Sequence, residues 1–367
     1  MKRTKVRNRI LAAVSGALVL GGLAATAYLR VGLLDLPPVP DDLTAARAGL
    51  EDFDALGELQ LLLDGVASDS GELSSGESRG SRGLLGDPAI RLARSGLAAI
   101  RDGETESGLE RLEAAVVLNP DNLVLGNTLR MEVFRLHREW RLSADGASGV
   151  LPAPPPYLAG RPVEFFRDLA ATSPAPEAKL QLAAALLDQM LLTPALEVRV
   201  EAMEILAQLL AEDAGGSYYL PALYARGLVY LHRPAHLLWS ESIDRALTAA
   251  RHDLALSVAV GRHLDLGTDL VQGRLALALG DTYAKEGRPD RARSWWQIAD
   301  AVSASSLRPR VVQRMAWRDD EMIDRLAQVL EHELRDLDQP MSDMSVLWRT
   351  TEPFEDSRMA PTEGVGP

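Results

Sequence analysis

Three stretches of this chain repeat one arrangement of small and aromatic residues at helical spacing, and no stretch shows the convincing alternation that a β-strand needs. In the clearest of them, Leu279-Gly280-Asp281-Thr282-Tyr283 sets a small residue three positions before a ring. Gly287 then ends a first helix, and Ala292, Trp296 and Ala299 share the inner face of a second. Upstream, Gly96, Ala99, Gly103, Gly108, Leu112, Ala115 and Pro120 fall at the same spacings. A third stretch has Ala202, Leu206 and Leu209 on one helix, followed by residues 219–230, where Gly227 and Tyr230 repeat the small-x-x-aromatic step. Residues 246–263 supply a further helix between the third stretch and the first described. A helix pair with one broad apolar face cannot bury it alone and must stack on a neighbour, which predicts an all-α, quasi-one-dimensional superhelix with a concave surface.

These stretches resemble the tetratricopeptide repeat (TPR) family over roughly residues 88–305, explicitly at three places and by helical pattern between them. The resemblance implies a right-handed α-solenoid of TPR-like helix pairs. In it, small Gly280 and Ala292 let two antiparallel helices approach, while Tyr283 and Trp296 fill the gap beside them. The ending Leu118-Asn119-Pro120-Asp121-Asn122 is typical of the family, closing one helix and capping the next near Leu123. Two positions depart from the pattern: Ala276 stands at the early tryptophan and Ala304 at the closing proline. By analogy with the family, the first helix of each pair lines the concave side. That places Arg94, Leu97 and Arg101, then Tyr224, Leu228 and His232, then Arg274, Leu277, Asp281 and Lys285 toward a groove able to hold an extended protein or peptide partner. Leu277 and Asp281 stand where members that clamp a C-terminal carboxylate have basic and amide residues, which argues against that ligand. Met322, Leu326, Val329, Leu330 and Leu334, alternating with acids, form an amphipathic capping helix, with Trp317 and Trp348 packed near its ends.

The N-terminus is organised differently. Lys2, Arg3, Lys5, Arg7 and Arg9 run into Ile10–Leu29, 20 residues without a charge. At about 1.5 Å per residue, a helix of that length just crosses a hydrocarbon core of roughly 30 Å. Arg30 is soon followed by Asp35, Asp41 and Asp42, so the positive-inside bias puts the N-terminus in the cytoplasm and the body in the periplasm or exterior. Ala25-Thr26-Ala27 also has the form of a processing site, so a cleaved secretory signal is the alternative. Both readings give the same compartment, whereas five flanking cations are hard to place in a core helix. Pro37, Pro38 and Pro40 stiffen a juxtamembrane spacer, after which Leu43, Ala46, Leu50, Phe53, Leu56, Leu59 and Leu63 recur on one helical face. The organisation expected is a basic N-terminus (1–9), a transmembrane or signal-anchor helix (10–29), a spacer and helix (30–67) and a Ser/Gly-rich disordered linker (68–84). A helical-repeat domain with its cap (85–345) and a disordered tail (346–367) follow. The proline run at 152–156 reads as an inter-helix connection, or alternatively as a polyproline ligand.

Composition narrows the chemistry. The chain has no cysteine, which removes disulfides, thiolate metal sites, iron–sulfur clusters and a cysteine nucleophile. Residues 31–367 carry 33 basic against 52 acidic side chains, a net charge of −19 that repels phosphate backbones and argues against nucleic-acid binding. No phosphate-binding Gly loop, nucleophile elbow or His-Glu-x-x-His motif occurs. His232 and His236 have metal-ligand spacing, but Arg233 and Pro234 between them favour a loop. Glu164 with Asp168, and Glu241 with Asp244, could share a helix face as paired acids, but nothing marks them as buried or convergent and a solvated charged face is the default reading. The expectation is a non-enzymatic, membrane-tethered interaction scaffold without metal or cofactor. An obligate structural subunit of a larger membrane or redox complex, and a helical enzyme acting on cell-envelope polymers, are the alternatives.

Overall fold

In the computed structural model, the residues described are 56–63, 86–144, 154–155, 158, 160–192, 196–212, 216–232, 243–263, 269–302, 307–335 and 342–348. All regular structure among them is helical, with no strand. A short helical segment, 56–63, precedes α1 (Pro88–Arg101), α2 (Thr105–Leu118), α3 (Leu123–Ala144), α4 (Arg161–Thr172), α5 (Pro176–Leu192) and α6 (Leu196–Glu212). Then come α7 (Tyr219–Leu231), α8 (Ile243–His263), α9 (Asp269–Lys285), α10 (Pro289–Val302), α11 (Arg308–Met315), α12 (Met322–Arg335) and a 3-10 turn, η1 (Met344–Leu347). No described helix is long and apolar enough to cross a membrane, and the apolar stretch 10–29 lies outside the described residues, as do the expected segments 1–9 and 68–84.

Local chemistry explains where these helices start and stop. Asp87 accepts a hydrogen bond from the Ala89 amide at 2.8 Å, and Pro88 occupies a first-turn position where no backbone donor is needed, so α1 is capped by its own sequence. Asn122 Oδ1 accepts from the amides of Val124 (3.0 Å) and Leu125 (3.3 Å) and starts α3 at Leu123. Gly103 and Gly287, at φ 88° and 68°, make the left-handed turns that separate α1 from α2 and α9 from α10.

The packing follows chain order. From α1 to α11 each helix touches its sequence neighbour. Alternate helices also meet, α3 with α5 and α7 with α9, and α12 folds back onto α9. Glycine sets the closest crossings: a Cβ at Gly96 would lie 2.7 Å from the Gly108 carbonyl oxygen, and one at Gly280 would lie 2.5 Å from the Trp296 ring. Trp296 is fully buried there and meets Trp317 edge-on, with ring centroids 5.9 Å apart. α5 is buried almost all round, from Leu180 to Asp188, which marks it as central rather than amphipathic. The C-terminal η1 touches α3, α7 and α9 together, so the end of the described chain lies against three alternate helices. Residues 346–348, assigned to the tail by sequence, thus lie in η1 and the turn after it.

Candidate binding groove

The polar residues on α3, α5, α7 and α9 converge where η1 docks. Arg130 on α3 is the centre, its side chain 0% exposed. Its guanidinium donates from Nε to Gln181 Oε1 (2.7 Å), from Nη1 to Asp188 Oδ2 (2.8 Å), and from Nη2 to Asn127 Oδ1 (2.8 Å) and the Ser342 carbonyl (3.0 Å). A planar fork suits this role, because one cation satisfies acceptors on two helices and on the C-terminal segment at once. Gln181 completes its own bonding by donating from Nε2 to the Leu123 carbonyl at 3.0 Å. Gly126 makes room for it, since a Cβ there would come within 2.7 Å of the Gln181 side chain.

The segment Ser342–Trp348 fits onto this platform through short side chains and main chain. Asn127 Oδ1 accepts from the Met344 amide (3.1 Å), and its Nδ2 donates to Asp343 Oδ1 (3.0 Å). Asp343 Oδ1 also accepts from the Ser345 amide (3.0 Å), capping η1, while the Ser342 hydroxyl donates to Asp188. Met344, Val346, Leu347 and Trp348 are all buried. Trp348 reaches residues 56–63, donating from Nε1 to Gln60 Oε1 at 3.4 Å, so it packs there rather than at an end of α12. The Ser345 hydroxyl is buried with no hydrogen-bond partner, a mismatch that costs about 1–3 kcal/mol. Burial raises the Asp188 carboxyl above its ordinary value, against the pull of Arg130. Tyr224 on α7 is likewise raised by burial, while the hydrogen-bonded Arg274 on α9 pulls it down and the charge of Asp343 adds to the rise.

The residues picked from sequence divide among four places. Tyr224 and Arg274 lie beside the docked segment and bond to each other. Arg94 on α1 instead reaches the Leu62 carbonyl (3.3 Å), and Arg101 is exposed in the last turn of α1. His232, Asp281 and Lys285 come together away from η1, around Arg314 of α11 and Glu333 of α12. Asp281 accepts from Trp296 Nε1 (2.9 Å) and from Arg314 Nε (2.8 and 3.0 Å), and Arg314 Nη2 reaches Glu333 at 3.0 and 3.1 Å. Burial pushes the Asp281 carboxyl up to about 6, with Arg314 holding it back. Burial would raise Glu333 too, but Arg314, His232 and Arg310 hold it below its ordinary value. Burial lowers Lys285, which donates to the Leu231 carbonyl, and lowers His232, whose Nδ1 donates to the Leu228 carbonyl at 3.1 Å. This cluster ties α7, α9, α10, α11 and α12 together.

Sequence reasoning passed over Asn127, Arg130, Gln181 and Asp188. The signal was there in α5, where Gln181 and Asp188 are seven residues apart and so share a face in an otherwise Ala/Leu run. Glu164 and Asp168, paired by their spacing, are both exposed on α4, and no described group of His, Asp or Glu has the arrangement to hold a metal ion. Glu241 and His236 lie outside the described residues. Compared with protein-family models, curated proteins and solved structures, the chain matches none.

Proposed function

We propose that this chain is a non-enzymatic, TPR-like α-solenoid that recruits a protein partner along its inner face. Residues 10–29 tether it to the membrane, or are cleaved as a signal, with the body in the periplasm or outside the cell. One observation carries this reading: Asn127 and Arg130 of α3 bind the Met344 amide and the Ser342 carbonyl, and Asp188 of α5 binds the Ser342 hydroxyl, where the segment also touches α7 and α9. Alternate helices contributing to one face is what a stack of helix pairs produces, since each first helix then points the same way. Main-chain recognition by a side-chain amide and a guanidinium is the chemistry of a peptide groove.

The experiment is photo-crosslinking in the protein's own cells, with the crosslinker replacing Tyr224 in the groove or Val200, 48% exposed on α6. A single partner protein trapped from Tyr224 and absent from Val200 is the expected outcome. Adducts of equal yield from both, or from neither, contradict the scaffold. The intact mass of the recovered bait, beginning at Met1 or at Tyr28, separates the anchor from the cleaved signal.

A further inference from the structure

The Arg130 site keeps most of its hydrogen bonds without the segment that covers it. Arg130 takes three of its four acceptors from Gln181, Asp188 and Asn127, and the C-terminal segment adds one carbonyl. Releasing that segment leaves the guanidinium paired and bonded, so the platform is preorganised and not assembled by its occupant. The occupant, in turn, fits imperfectly: the Ser345 hydroxyl is buried without a partner, and the Trp348 to Gln60 bond is long at 3.4 Å.

We propose that Ser342–Trp348 is a releasable occupant of the groove, and that the groove's external ligand is a peptide segment of the same chemistry on another protein. That chemistry is a short hydroxyl residue, then Asp, then an apolar residue opening a tight turn, with a terminal aromatic ring. The hydroxyl meets Asp188, the Asp meets Asn127 and caps the turn, and the apolar residues take the places of Met344, Val346, Leu347 and Trp348. The fourth position, where Ser345 sits unpaired, favours a small apolar residue in the ligand. Because the resident segment is covalently attached, its effective concentration is on the order of millimolar, and it screens out weak competitors. The proposal rests on the scaffold reading only for the existence of an external partner.

The test uses the full chain and a fluorescent acetyl-Ser-Asp-Met-Ser-Val-Leu-Trp-amide peptide, followed by anisotropy. Wild-type protein and the full-length double variant Met344→Ala, Trp348→Ala are titrated, with helical circular dichroism recorded for each. The double variant is expected to keep its helical signal and to bind the peptide at least about tenfold more tightly than wild type, because its own segment competes less well. A peptide with alanine at the fourth position should bind the variant up to about tenfold more tightly still, and one with alanine at the second position more weakly. Loss of the helical signal in the double variant makes the segment part of the core and overturns the proposal. So does a folded variant that fails to bind, or binds no better than wild type. Peptide binding without any partner crosslinked from Tyr224 would instead overturn the scaffold and leave the groove's specificity standing.

Discussion

Arg130 and Arg314 are both buried cations, yet they are solved differently. Arg130 distributes its donors over an amide, a carboxylate, a second amide and a carbonyl, so only one full counter-charge, Asp188, is buried with it. Arg314 is held between two carboxylates, Asp281 and Glu333, in a cluster that His232 and Lys285 also face and into which Trp296 donates. Burial of this kind costs several kcal/mol per ion before pairing offsets it, which is why the Asp281 carboxyl titrates near 6 despite its cation. A carboxyl raised in the native state binds its proton more tightly there than in the unfolded chain. Its stabilising contribution is therefore full below about pH 4 and is lost as the pH rises through 6. Relative to Asp281→Asn, wild-type protein should lose up to about 3 kcal/mol of stability between pH 4 and 7, read from urea midpoints at each pH. Glu333 and His232, both lowered, push the other way but are present in both proteins. A wild-type-minus-variant difference that stays flat, or grows with pH, removes Asp281 as the titrating group.

Glycine positions tie sequence to packing at the level of helix pairs. Gly96 and Gly108 meet backbone to backbone, and a Cβ on either would lie within 2.7 Å of the other's carbonyl oxygen. Gly96→Ala gains about 1 kcal/mol in helix propensity but forces α1 from α2, an overpacking cost of about 1–3 kcal/mol. The net expected is destabilisation, measured as a lower urea midpoint at unchanged slope. A midpoint equal to or above wild type would mean the two helices are not in close contact. This crossing was legible because spacing of small residues is a local signal, and so were the Asn122 cap before α3 and the helices carrying Ala202, Leu206 and Leu209 and residues 219–230. The partners of Asp281 and Lys285 were not legible, because an analogy of position does not report which neighbour a charge will find. Arg314 lies on the next helix but one and Leu231 on another, so the partners of those two side chains are set by tertiary packing.

Across the whole molecule, the feature least legible in sequence is the return of Ser342–Trp348 to α3, α7 and α9. Its bonds to Asn127 and Arg130 join residues more than 200 positions apart, and seven residues without helical periodicity advertise no partner. By sequence the boundary between the capped repeat domain and the tail falls within them, at residue 346. What binds them is Asn127 and Arg130 on α3 and Asp188 on α5, residues that come together only when the two helices are side by side. On the proposed reading, this face is a peptide site that Ser342–Trp348 of the same chain covers. Native-state amide hydrogen exchange on the full-length protein, across low urea concentrations, tests this most directly. The amides of Met344, Ser345 and Trp348 should exchange by a local opening whose free energy is insensitive to urea and lies well below that of the α9 amides from Leu275 to Ala284. If the Met344–Trp348 amides instead exchange only with global unfolding, at the same free energy and urea dependence as α9, the segment is core structure and the groove has no exchangeable occupant.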